Sequence, residues 1–259
     1  MKNIFKQVLI CLGSCVVFFL CTYPLRDTFA VFTVTDVRPG IAALPFLSMC
    51  FGPSASLGCA LANLYADYIS GYPTKVLIQG FPLQFLYGFV SYLLWKKLTK
   101  GDDHSYRINT SSKFLKLLLV SLVFGIFTGL GVAYIVYSNF GANFIETVFF
   151  VFMNNYTFTM LLCVPLMIFA NIIVSGIGKE VRRKLSANEI IIIFTSIAEF
   201  VGIGVITYGI YTVYSKVGGD TYNIWNNIFI YSVIYVNCMI LVALGLIKLI
   251  EKVKAKRNK

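Results

Sequence analysis

Histidine occurs once and acidic residues only 11 times in 259 residues. The single imidazole, His104, falls in a polar loop beside Asp102 and Asp103, so an apolar span has no histidine to serve as metal ligand or general base. Walker, GxSxG and HExxH signatures are missing, and no span carries two carboxylates at a catalytic spacing. All seven cysteines lie in apolar runs, without a CxxC pair or a Cys/His cluster. That pattern offers neither a metal site nor a disulfide framework and leaves them as small packing groups. Charge of both signs is scarce: Asp, Glu, Lys and Arg make up 13% of the chain, against ~25% in soluble domains. A soluble enzyme has little to be built from here, and no cofactor motif is present.

What is present is apolar. Hydrophobic residues make up 58% of the chain and mean hydropathy is +0.79, which identifies an all-α integral membrane protein. Runs of about 20 apolar residues, the length that crosses a bilayer, predict spans over 5–25, 76–95, 115–137, 145–174, 190–214 and 228–250. The first ends at Tyr23-Pro24-Leu25-Arg26 without a small-x-small cleavage site, so it is expected to be retained.

Lysine and arginine gather in the N-terminal tail, in loops 96–116 and 179–184, and from Lys248 onward; only Arg26, Arg38, Lys75 and Lys216 lie at the opposite span ends. The positive-inside rule then puts both termini in the cytoplasm of a cell whose plasma membrane the chain spans several times. The net charge of +11 sits at these membrane ends. It reads as a topology signal with attraction for anionic membrane lipid, and no nucleic acid is expected as a partner.

One further apolar stretch, 41–70, is cut by Gly52-Pro53 into two pieces, each short of a comfortable span. Because its flanks lie on the same side, it is expected to form a helical hairpin, either two short tilted spans or a re-entrant pair. Counting it as two gives a bundle of about eight membrane segments. Pro45, Gly52 and Pro53 break its helices, and the backbone groups they free must be buried in protein or line a cavity. The alternative is a compact turn between tightly packed short helices, with Gly58 allowing close approach.

Intramembrane polarity supplies the candidate binding residues. Asn63 and Asp67 are four apart and share one helix face, and an ionisable group at membrane depth normally faces protein or water. They form either a binding site or a hydrogen-bonded lock between helices, or Asp67 lies close enough to the outer surface to stay hydrated. In "FFVFMNNYTFTMLLCVPL", Asn154 and Asn155 point about 100 degrees apart, so at least one needs a protein or solute partner; Tyr156 and Thr157 adjoin them. Gln79 and Gln84, with Tyr87 nearby, add hydrogen-bonding capacity. Glu199 is the deepest acid, either a neutral or paired packing group or a functional one. Arg38, at the entrance to the hairpin, completes the set of candidate substrate contacts. Glycines 125, 129 and 131 have the small-residue spacing that packs helices.

The order "RPG…LP…FGP…G…N…D…G" after one span and an outer loop resembles the substrate-binding S components of energy-coupling factor (ECF) vitamin transporters. It is similar, too, to the membrane sensor domains of some bacterial signalling proteins. The likeness covers residues 1–175, with "FMNNYTFTMLLCVPL" similar to the last S-component span. It implies a six-segment core with a solute cavity near the outer face, lined or supported by the hairpin, Asn63, Asp67, Asn154 and Asn155. It further implies capture of a small vitamin-like molecule, passed inward with a transmembrane coupling subunit and cytoplasmic ATPases. Two features depart from the pattern. The first span, "LICLGSCVVFFL", has no AxxxA-like docking patch, and residues 176–259 add a cytoplasmic loop, two more spans and a basic tail.

The sequence thus supports, in order, uptake of a vitamin-like or nucleobase-like solute, a sensor module acting on a cytoplasmic partner, and an intramembrane lipid-modifying enzyme using Asp67, Glu146 or Glu199.

Overall fold

The computed structural model describes residues 2–25, 30–32, 35–36, 39–100, 108–176, 185–217 and 221–257. Among them the chain is helical apart from one short antiparallel ribbon, β1 (Ala30–Phe32) with β2 (Thr35–Asp36). Nine α-helices are described: α1 (Lys2–Thr22), α2 (Ala43–Phe51), α3 (Pro53–Ile69), α4 (Thr74–Leu98), α5 (Ser111–Phe140), α6 (Phe144–Phe158), α7 (Val164–Gly176), α8 (Ala187–Val217) and α9 (Thr221–Arg257). Six segments are long and apolar enough to cross a membrane: Ile4–Thr22, Thr74–Leu98, Ser111–Phe140, Phe144–Ala170, Ala187–Tyr214 and Asn227–Lys256. Each coincides with one of the spans expected from apolar run length.

The helix ends follow local chemistry. Thr110 caps α5 by accepting from the Lys113 N–H, and Asn143 caps α6 by accepting from the Ile145 and Glu146 N–H groups. Between them Gly141 adopts φ 68°, the left-handed conformation that ends α5. Ser186 and Glu189 form a reciprocal capping box at the start of α8, each side chain accepting from the other's backbone N–H. The helix formed by α6 and α7 is interrupted by a π-turn, Thr159–Cys163. Pro165 explains it: its ring crowds the carbonyl four residues back and has no N–H to offer, so the helix widens by a residue just before it.

The hairpin α2–α3 packs against α1 in a definite register. A β-carbon on Gly58 would lie 2.1 Å from the Cys11 carbonyl oxygen, and one on Gly40 2.1 Å from that of Cys21. Ser54 donates to the Gln7 side chain at 2.5 Å, and the Tyr65 ring lies 5.6 Å from that of Phe19. Gln7, Cys11 and Phe19 therefore meet Ser54, Gly58 and Tyr65 in the same order, so α1 and α3 run parallel. The chain leaves the end of α1, re-enters through the 3-10 turn Pro39–Ala42 beside Cys21, and descends in α2 to Gly52 near the Gln7 level. Gln7 to Cys21 corresponds to about 21 Å of helix rise. Gly52 faces the Tyr92 ring on α4, one turn from Lys96, which donates to the Tyr92 hydroxyl at 3.3 Å.

Two buried apolar clusters hold the bundle. One joins Phe18, Leu44, Leu47, Cys59, Tyr87 and Phe124, and so ties the hairpin to α1, α4 and α5. The other joins Met49, Trp95, Phe114, Leu117, Met160, Met167, Ile192 and Ile240, and so ties the π-turn to α8 and α9. Glycines 125 and 129 bring α5 against the backbone of α6, where their β-carbons would meet Phe152 and the Val148 carbonyl.

Candidate functional site

Asn63 and Asp67 share a face of α3, as four-residue spacing requires, and the Asn63 amide donates to the Asp67 carboxylate at 2.8 Å. Asp67 is buried and Asn63 half-buried. The hairpin turn is also bonded internally. Gly52 takes φ 80°, its N–H donates to the Ser48 carbonyl at 2.8 Å, and its own carbonyl accepts from Ala55 and Ser56. Ser56 donates to Ser48 at 3.0 Å across the turn, close to Gly88 on α4. Pro45 sits in the first turn of α2, where its missing N–H breaks no helical bond, and Pro53 opens α3 at the first position for the same reason.

Further buried polar groups are distributed along α4, α5, α6 and the π-turn. The Asn154 amide donates to the Asn155 side-chain oxygen at 2.9 Å, and the Asn155 amide donates to the Thr128 hydroxyl at 2.8 Å. The Thr128 hydroxyl in turn donates to the Phe124 carbonyl at 2.9 Å. Along these elements five buried polar atoms have no hydrogen-bond partner among the described residues: Gln84 Nε2, Tyr87 Oη, Asn154 Oδ1, Thr157 Oγ1 and Thr159 Oγ1. Tyr87 fills the space left by Gly131, where a β-carbon would lie 2.0 Å from its oxygen, and meets Phe127 edge-on at 5.4 Å. Tyr156 serves packing, its ring stacked on Phe152 at 5.8 Å and set against Gly125. Gln79 is turned elsewhere, accepting from Asn139 at 2.7 Å.

Glu199 is separate from both groups. It lines a cleft of about 220 Å³, open mouth included, with Phe114, Met160, Val164, Ile192, Thr195, Ser196, Ile240 and Ala243. One residue before it, the Ala198 carbonyl accepts from the Tyr235 hydroxyl at 2.9 Å, with the Tyr235 ring seated over Gly202. That contact fixes α9 against α8 beside the acid.

The candidates expected to line one cavity thus fall in separate places: Asn63 and Asp67 on α3, Gln84 on α4, Asn154 and Asn155 on α6, and Glu199 in its cleft. Arg38 lies outside the described residues, as does His104. No group of three or more His, Cys, Asp or Glu that could hold a metal is found among the described residues.

A fourth polar cluster was not anticipated. Ser111 donates its backbone N–H at 2.8 Å and its hydroxyl at 2.5 Å to the two oxygens of Glu251. Asn188 donates to the Asn109 carbonyl at 2.8 Å and reaches Glu251 at 3.5 Å. This clasp joins the start of α5, the start of α8 and the end of α9. The box Ser186-x-x-Glu189 was its one readable sign, since it marks a fixed helix start just after a basic loop. Compared with family models, curated proteins and solved structures, the chain matches none.

Proposed function

We propose that this chain is a membrane protein that binds and takes up a small polar organic molecule, vitamin-like or nucleobase-like, with separate subunits supplying the energy. One observation carries the reading: five unpartnered buried polar atoms, of Gln84, Tyr87, Asn154, Thr157 and Thr159, spread over α4, α6 and the π-turn. A buried donor or acceptor left unmatched costs about 1–3 kcal/mol. Five together amount to roughly 5–15 kcal/mol, comparable to the whole stability of a typical domain. A bundle that only needed to fold would fill these positions with aliphatic side chains. Amide and hydroxyl groups interspersed with aromatic rings such as Tyr87 and Phe127 suit a planar, heteroatom-rich solute. The ECF S-component likeness of residues 1–175 points the same way.

In this reading the chain crosses the plasma membrane eight times, the hairpin counting as two short crossings, with both termini in the cytoplasm. The contacts of Ser54 with Gln7 and of Gly52 with Tyr92 support a turn near the cytoplasmic ends of α1 and α4. The test is native mass spectrometry and thermal shift on purified protein across a vitamin and nucleobase panel. The expected result is one ligand that raises the melting temperature of the wild type, with the effect abolished by Asn154→Leu and by Gln84→Leu. A wild type that retains nothing and responds to no member of the panel refutes the proposal.

A sensor role is the second reading. It is favoured by α9, which continues as one helix to Arg257 and presents exposed Lys252, Lys254 and Lys256. Affinity purification from cross-linked cells separates the two: ATPase and coupling subunits support uptake, and a kinase or phosphatase supports sensing.

A further inference from the structure

The cleft at Glu199 holds three side chains whose polar groups make no hydrogen bond among the described residues. Thr195, Ser196 and Glu199 occupy positions i, i+1 and i+4 of α8 and line the same opening. Glu199 is 2% exposed and Ser196 6% exposed. Hydroxyls inside a helix usually bond back to the carbonyl four residues earlier. Thr207 and Thr212 of this same helix do so, to Ile203 at 2.8 Å and Tyr208 at 2.7 Å, and Thr22, Ser91 and Ser121 do so elsewhere. Thr195 and Ser196 do not, which leaves their oxygens free to face the cleft.

We infer that this cleft is a binding site for one dehydrated alkali cation of sodium size. Glu199 offers two carboxylate oxygens, and Thr195 and Ser196 offer one each. Hard cations prefer oxygen ligands of this kind. The remaining walls, Phe114, Met160, Val164, Ile192, Ile240 and Ala243, carry neither charge nor nitrogen or sulfur donors other than the Met160 thioether. Among the lining residues no second acid is present, so a single positive charge is balanced and a divalent ion leaves an uncompensated charge in an apolar wall. The enclosed part of the cleft has room for about one water-sized particle, too little for an organic amine. A site for a proton alone needs only the carboxyl group and gives no reason for the two hydroxyls to forgo their backbone carbonyls.

Met160 belongs to the π-turn, and its neighbour Thr159 is one of the unpartnered groups of the solute reading. The inference stands independently of the solute reading, because it is tested without any solute.

The experiment uses the full chain in lipid nanodiscs, with melting temperature followed in NaCl against choline chloride at equal ionic strength and fixed pH, and with equilibrium binding of radioactive sodium. We expect a saturable upward shift of about 3 °C or more in sodium and one bound ion per chain. Glu199→Gln should abolish both, and Ser196→Ala and Thr195→Val should each weaken sodium binding about tenfold or more while the variants remain folded by size-exclusion profile. Asn63→Ala should leave the sodium shift unchanged. The inference is overturned if the wild type melts alike in sodium and choline, if Glu199→Gln keeps the sodium shift, or if removing both hydroxyls leaves sodium affinity unaltered. A melting temperature that follows pH but not sodium also overturns it, in favour of a proton site.

Discussion

Asn155 is held by two neighbours of different kinds, its oxygen accepting from Asn154 and its amide donating to Thr128. The sequence requires that one of two adjacent amides in an apolar span find a partner. It does not reveal Thr128, because a threonine inside a helix ordinarily satisfies itself on its own carbonyls. Thr128→Val keeps the shape and removes the acceptor, leaving the Asn155 amide buried and unmatched. The expected cost is about 1–3 kcal/mol, read as a lower melting temperature in detergent micelles. Asn63 and Asp67 were legible for a simpler reason: helix geometry alone puts residues four apart on one face. Gly58 illustrates a contact that only the fold reveals. A methyl group there meets the Cys11 carbonyl, whereas nothing lies within 4 Å of a β-carbon on Gly13 in the same layer. Gly58→Ala should therefore destabilise the protein by roughly 1–3 kcal/mol, while Gly13→Ala should be neutral or slightly stabilising in the same melting experiment.

Helices were the most readable level, because bilayer thickness dictates run length and the six long spans needed no tertiary information. The hairpin was readable as a break but not as a register. Whether its turn sits deep or near the ends of its neighbours depends on which glycine meets which carbonyl on α1, and composition carries no trace of that pairing. The clasp was hidden for a related reason. Glu251 lies in a basic, polar tail where a lone acid reads as solvated, yet it bonds across 140 residues to Ser111. Charge-assisted bonds of this type contribute more than neutral ones. Glu251→Gln should weaken the joint, and hydrogen exchange should rise around 108–113 and 186–189 while the centre of α5 stays protected. Unchanged exchange at those two segments would show that the charge on Glu251 contributes nothing to the joint.

Viewed as one molecule, α8 and α9 join the rest through the clasp and the cluster around Met160 and Ile192, while α1 and α3 run parallel on another flank. The orientation proposed above rests on charge at the loop ends. It can be checked by adding single thiols and comparing intact cells with inverted vesicles. Ser54→Cys should react with a membrane-impermeant maleimide only in inverted vesicles, and Tyr72→Cys only in intact cells, each read against wild-type labelling. The reverse pattern inverts the topology, and failure of Ser54→Cys to label from either side favours a re-entrant hairpin.

The short α3 has a consequence for the surrounding lipid. Its 17 residues rise about 25 Å, below the ~30 Å of an average hydrocarbon core, and a stripe of Leu57, Leu61, Tyr65 and Tyr68 is exposed along it. In the proposed eight-crossing topology, lipid on that flank thins to meet it, at a modest cost for each ångström of mismatch. That topology makes the protein a one-sided wedge in its bilayer, drawn toward thin or curved regions. Its melting temperature should be higher in nanodiscs of shorter acyl chains than in thick ones.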